Sequence, residues 1–291
     1  MKKGYIYSIS SAILFGTAGL FVKMAHSTGL DSISLLTVQY MFAVTMMFAG
    51  ALIKNPSLMK VNKSDLFHLA VLGVVGNTFM TIFYYIAFEY LPVAMVTMLL
   101  YTYPVMVMIY TWIFEKQILN IRKFIAIIIA FIGCLLALDI IGGNFIYSLT
   151  GIIFGLLSAV FYSFMNIYSE KRLMNVGSFA INAYSTLFSL IALIFYRLPD
   201  IITTRSISSN SLMYIVILAV FCEILPLTLL YAAIKHIGSL KVSLIGNLEI
   251  PTAIFSAFIF LNEKISMVQL AGSVMIIYSV FLIRQKNQVP K

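Results

Sequence analysis

Residues 247 to 264 read NLEIPTAIFSAFIFLNEK, and within this otherwise apolar run stand an acid, Glu249, and a proline, Pro251. A carboxylate at the centre of a membrane helix costs roughly 2.5 to 3.5 kcal/mol on insertion scales, so such a residue faces a bundle interior or a watery cavity. Pro251 has no amide hydrogen and crowds the carbonyl four residues back, that of Asn247, which is expected to lie unpaired beside the acid. Polar groups therefore collect at one depth. Two readings follow: a functional cavity, or a buried acid satisfied by a neighbouring helix while the proline only kinks.

The rest of the chain fits a membrane around this segment. Of 291 residues, 62% are hydrophobic and 10% charged, against about a quarter charged in soluble proteins. Mean hydropathy is +1.02. A helix crosses the hydrocarbon in about 20 residues, which leaves room for about ten crossings and no sizeable soluble domain. The net charge of +9 would in a soluble chain point to nucleic acid, but the basic residues fall in alternate loops. With a cytoplasmic N-terminus, fifteen of them, from Lys2 and Lys3 through Lys171 and Arg172 to Lys291, lie inside, and Lys23, Arg197, Arg205 and Lys264 lie outside. That asymmetry requires an even number of spans with both termini cytoplasmic. Cys134 and Cys222 lie in apolar runs without metal-ligand spacing and read as packing residues.

The chain also repeats itself. Gly4, Ile6, Ser11 and Ala12 return as Gly151, Ile153, Ser158 and Ala159, Pro104 as Pro251, and Glu115-Lys116 as Glu263-Lys264, at offsets of 147 to 148 residues. The expected fold is all-α and integral to the membrane, with ten transmembrane helices as two five-helix repeats over 1–141 and 148–291, divided around 142–149. Because five is odd, the second half enters from the opposite side, giving inverted topology with a site near the midplane.

The end of the fourth helix, LYTYPVMVMIYTWIFEK, and the segment 247–264 resemble the EamA-type branch of the drug/metabolite transporter superfamily, over essentially the whole chain. Glu249, Pro251 and Glu263 match the second-half motif of that family. The first half keeps Pro104 and Glu115 but has Thr102 where the acid would fall, and Phe15-Gly16 where the family often has Trp-Gly. The resemblance implies a ten-helix carrier of small metabolites, often an exporter, and leaves the substrate open.

Glu223, with Pro226 three residues on, is the second midspan acid, and its repeat partner is Asn77. Two carboxylates in a poorly solvated cavity favour protonation, which suits proton antiport, with Glu249 as the proton or amine site and Glu223 assisting. The alternative for Glu223 is a permanently protonated, purely structural donor. Asn247, Tyr85, Tyr101, Tyr103 and Tyr162 join the candidate substrate or proton site, with Tyr84 and Asn166 at the same layer. Aromatic walls with acids suit an ammonium through cation-π contact and ion pairing. Tyr5, Tyr40, Tyr90 and Tyr278 read as interfacial anchors. Pro104, Pro226 and Pro251 are the helix breakers, and the Gly73/Gly76 and Gly151/Gly155 spacings read as close helix contacts.

No P-loop, no metal-ligand motif and no nucleophile elbow occur, so neither an enzyme nor a cofactor or metal is expected. The partners expected are a small molecule, protons and the lipid bilayer, with no nucleic acid; oligomeric state is not readable. The function expected is export of a small amine-containing metabolite, an amino acid in the first instance, across the plasma (inner) membrane by alternating access. Uptake, facilitated passage of a nucleoside or cationic drug, and a channel or scaffold role stay open.

Overall fold

The computed structural model describes residues 2–26, 32–116, 121–139, 148–202, 209–262 and 264–284. Most of the connection expected to divide the halves, residues 142–147, lies outside the described residues, as do Glu263 and the side chain of Lys23. Every regular element among the described residues is helical. They run as α1 (Lys2–His26), α2 (Ser32–Lys54), α3 (Lys63–Tyr90), α4 (Val93–Glu115), α5 (Ile121–Ala137), α6 (Leu149–Arg172), α7 (Ser178–Ile202), α8 (Ser209–Ile217 continuing to Leu225–Ile237), α9 (Ser239–Gly246 and Glu249–Leu261) and α10 (Met267–Arg284). Among the described residues, seven stretches are long and apolar enough to cross a membrane, and Met267–Leu282 is a shorter apolar helix. The protein is an all-α membrane protein.

Local chemistry sets the ends. α3 stops at Tyr90 because Leu91 precedes Pro92 and is held extended. The second parts of α4 and α9 each run thirteen residues and end on a left-handed residue, Lys116 and Asn262. Ser148 caps α6 by accepting from the Gly151 amide at 3.3 Å.

Two irregularities recur 146 residues apart. α3 carries a π-helical turn at Leu72–Thr78 and α8 carries one at Leu218–Ile224. α4 is broken at 101–102 and α9 at 247–248. This register sets Asn77 against Glu223, as expected from the sequence, but it sets Tyr103 rather than Thr102 against Glu249. At the α9 break the Asn247 carbonyl is not unpaired as expected: the chain tightens there, and the Ile250 amide donates to it at 3.2 Å.

The packing is crosswise. α1 lies on α8 and α9, while α6 lies on α3 and α4. Likewise α2 packs on the π-turn of α8 and α7 on that of α3, α2 also meets α7, and α5 pairs with α10. Ser11 of α1 donates to the carbonyl of Pro226 itself at 2.7 Å, which ties α1 to α8. Gly73 abuts the Ser185 carbonyl and Gly155 abuts Leu99, the close contacts that their spacing announced.

Large apolar side chains cover the outside, among them Trp112, Phe114, Phe195, Phe258 and Phe260. In water so much exposed apolar surface would drive association, whereas lipid tails solvate it. Serines and threonines fill the interior and bond back to their own helix, as Ser158 does to Gly155 and Ser169 to Asn166.

Candidate functional site

A cavity of about 210 Å³ lies where the breaks and π-turns meet, lined from α1 by Phe15, from α2 by Leu36 and Tyr40, and from α3 by Asn77, Met80, Thr81, Tyr84 and Tyr85. Leu100 of α4, Tyr162 and Met165 of α6, Glu223 and Leu227 of α8 and Glu249 of α9 complete it. Its volume is below the roughly 300 to 1,000 Å³ of pockets for drug-sized ligands, and is the scale of a small metabolite.

Of the residues singled out from the sequence, Glu223, Glu249, Asn77, Tyr85 and Tyr162 face this space. Tyr101 stands behind it. Its hydroxyl donates to Glu249 Oε2 at 2.7 Å. Tyr103 is fully buried, donates to the Ser243 carbonyl at 2.9 Å, and has its ring centroid 4.3 Å from that of Tyr162. It braces the wall rather than lining it, and it reaches α9 only because Gly246 has no side chain to obstruct its hydroxyl. Asn247 is buried with Oδ1 unpartnered and is not among the lining residues. Pro104 and Pro251 lie just inside the second parts of α4 and α9, and Pro226 is the second residue after the π-turn of α8.

The polar accounting of the cavity is uneven. Glu223 Oε1 is 3.1 Å from the Thr186 hydroxyl of α7. Asn77, 3% exposed, makes no well-formed hydrogen bond through either amide atom, although the Tyr231 hydroxyl lies beside it. A buried amide with four unfilled positions is costly unless a solute fills them. Among the described lining residues there are two carboxyl groups and no lysine, arginine or histidine.

Three residues read otherwise from the sequence. Tyr40, expected to anchor at the interface, is 6% exposed and lines the cavity, because α2 packs against α7 and α8 at that level. Tyr90 and Tyr278 are about half exposed, as anchors are. Asn182 and Thr186 of α7 had no place in the sequence reading; they lie behind Glu223 and are fully buried.

The end of the bundle where α1 begins is closed by polar contacts. Glu115 at the end of α4 pairs with Lys171 of α6 at 2.5 Å, Glu170 Oε2 accepts from the Ser239 amide at 2.9 Å, and His68 Nδ1 lies 2.7 Å from the Tyr168 hydroxyl. Lys235 of α8 turns its Nζ to the Val176 carbonyl. The cavity lies on the other side of these contacts, bounded by the early turns of α2 and the late turns of α3.

Comparison with known proteins agrees with this architecture. A transporter of Clostridium kluyveri named as uncharacterized is 25% identical over 290 residues, covering 95% of this chain and 91% of its own length. The uncharacterized transporter YcbK of Bacillus subtilis is 23% identical over 278 residues, covering 92% and 88%. A solved crystal structure, 15% identical, matches with a TM-score of 0.79 over 98% of this chain and 97% of its own, which shows the fold. The EamA-like transporter family model matches twice, over residues 2–138 and 149–285. The chain therefore belongs to the EamA-like transporter family, as a multi-pass membrane protein whose role is to transport a small molecule.

Proposed function

We propose that the protein is a secondary transporter that exports a small amine-bearing solute by alternating access, with a proton as the counter-ion. The carrying observation is the charge pattern of the cavity: Glu223 and Glu249 face one aromatic-walled space with no basic side chain among its described lining residues. An ammonium is the group that such a site neutralises, with Tyr84, Tyr85 and Tyr162 offering ring faces. For an amino acid, the ammonium goes to Glu249, and the Asn77 amide is the free polar partner for its carboxylate.

The same proposal includes ten crossings in two inverted halves, 1–141 and 148–291, with both termini cytoplasmic in the plasma membrane. The crosswise packing and the irregularities repeated 146 residues apart support the two halves. Closure at the end where α1 begins supports a state open toward the outside. Broken helices at the midplane are where carriers place ion and substrate groups, since freed backbone is tolerated only beside protein or water.

The test is efflux from proteoliposomes loaded with labelled amino acids and, separately, the amines formed by removing their carboxyl groups. Wild type and Glu249→Gln are compared with and without an imposed proton gradient. Gradient-responsive efflux of amines or amino acids that is lost in Glu249→Gln supports the reading, and the ratio of the two pools decides whether a carboxylate is accepted. Wild type that retains both pools under every gradient rejects it.

A further inference from the structure

Asn182 and Thr186 stand one helical turn apart on α7, against the π-turn of α8. Asn182 Nδ2 lies 2.9 Å from Thr228 Oγ1, 3.0 Å from the Ile224 carbonyl and 3.4 Å from the Glu223 carbonyl. Carbonyl oxygens only accept, so this edge of the amide is the NH₂, and Oδ1 on the opposite edge requires a donor. The donor at hand is the Thr186 hydroxyl, 3.0 Å away, which is also 3.1 Å from Glu223 Oε1.

A hydroxyl has one proton to give. With the Thr186 proton on Asn182, Thr186 can only accept from Glu223, which then carries a proton of its own. With Glu223 ionised, Thr186 turns to the carboxylate, and Asn182 Oδ1, fully buried, loses its donor. We propose that Asn182 and Thr186 are positioning residues that tie the protonation of Glu223 to the joint between α7 and α8. A protonated Glu223 completes the chain that pins the π-turn carbonyls; release of the proton to the cavity breaks it and loosens the joint. This deepens the proton-coupled reading, and rests on it, by dividing the two acids: Glu223 carries the proton, and Glu249, held by Tyr101, meets the amine.

The titratable groups that face Glu223 are Tyr40 of α2 and Tyr231 and Cys222 of α8, with Tyr85 of α3 and Glu249 of α9 across the cavity. α1 brings Ser11 and Phe15 to this level, and α7 brings Asn182 and Thr186. No cationic side chain stands among the described cavity-lining residues, so the hydroxyl chain is what distinguishes the two forms of the acid.

The test is infrared difference spectroscopy of the reconstituted full chain as a function of pH, which needs no substrate. The protonated-carboxyl band of Glu223 is identified by its loss in Glu223→Gln. In Asn182→Ala, Thr186 is free to serve the carboxylate, so the band disappears at a pH lower by about one unit. In Thr186→Val, close in shape to wild type, the band moves to higher wavenumber as its hydrogen bond is lost, and adding Asn182→Ala to that variant moves the pH of disappearance no further. An unmoved band in Thr186→Val, or an Asn182→Ala shift of equal size with and without Thr186, overturns the proposal. Should these bands behave as expected while the proteoliposomes show no gradient response, the switch stands and the transport reading falls.

Discussion

The Tyr101 hydroxyl lies 2.7 Å from Glu249 Oε2, which joins the break of α4 to the break of α9. The bond favours the ionised carboxylate, the form that an ammonium requires. Hydrogen bonds to charged groups are worth about 1.5 to 3 kcal/mol. Tyr101→Phe is therefore expected to raise the half-saturating concentration of the amine found by efflux about tenfold or more. The defect deepens as pH falls, because proton and ammonium compete for one carboxylate that has lost its donor. Unchanged half-saturation across pH would show that the Tyr101 bond has no part in substrate binding.

Gly16 of α1 sits where an added methyl group would lie 2.6 Å from Thr252 Cβ and 2.7 Å from the Glu249 carbonyl. Backbone cannot give way as a flexible side chain can, so Gly16→Ala pushes α1 off α9. Overpacking of this kind costs about 1 to 3 kcal/mol. The melting temperature of the purified protein in detergent is expected to fall, with transport falling alongside. Gly50→Ala, where nothing lies within 4 Å, serves as the control and leaves both unchanged.

The sequence made the acids legible and their surroundings only in part. Glu249, Glu223 and Asn77 were readable because a charge or an amide in an apolar run has to be justified by a cavity or a partner. Tyr40 was not, since a tyrosine two turns into a helix looks like an anchor until α7 and α8 are seen to cover it. Threonines in membrane helices ordinarily bond back to their own carbonyls, so Thr186 carried no signal. Asn182, within AINAYST, is an amide in an apolar run and carries the same kind of signal as Asn77. The π-turn of α8 is followed by Pro226, but that of α3 has no proline, and only the backbone reveals it. Thr102 stands opposite Glu249 when the prolines are aligned and Tyr103 when the helix starts are, because Pro104 is the second residue of its helix and Pro251 the third.

Lys171 and Glu115 hold α4 to α6 at the closed end, with side chains 40% and 16% exposed. Exposed pairs of this kind are worth about 0.2 to 1 kcal/mol after screening. On the alternating-access proposal, Lys171→Gln shifts the balance of the two access states by about 1.5- to fivefold, read as increased modification, from the side where α1 begins, of a cysteine placed in the cavity. The shift shrinks in high salt, which separates an ion pair from a packing effect. If Glu115→Gln and Lys171→Gln add fully when combined, the pair is not acting as one contact.

Gly238 joins α8, which carries Glu223, to α9, which carries Glu249, and its φ of 83° with ψ of 156° lies in a region kept almost entirely for glycine. A side chain there costs about 1 to 3 kcal/mol for the backbone alone. A methyl group at this position would also stand 3.1 Å from Glu170 Oε1, whose partner oxygen holds the Ser239 amide at the start of α9. Gly238→Ala is therefore expected to lower the melting temperature and to disturb the spacing of the two acids, so that gradient-driven efflux falls more than gradient-free exchange. Adding Glu170→Ala relieves the contact but not the dihedral angle, and the double variant is compared with Glu170→Ala alone, which bears the loss of the acceptor for the Ser239 amide. Partial recovery of the melting temperature in the double variant is the expected outcome, whereas full recovery would place the whole cost in the contact with Glu170 and none in the backbone.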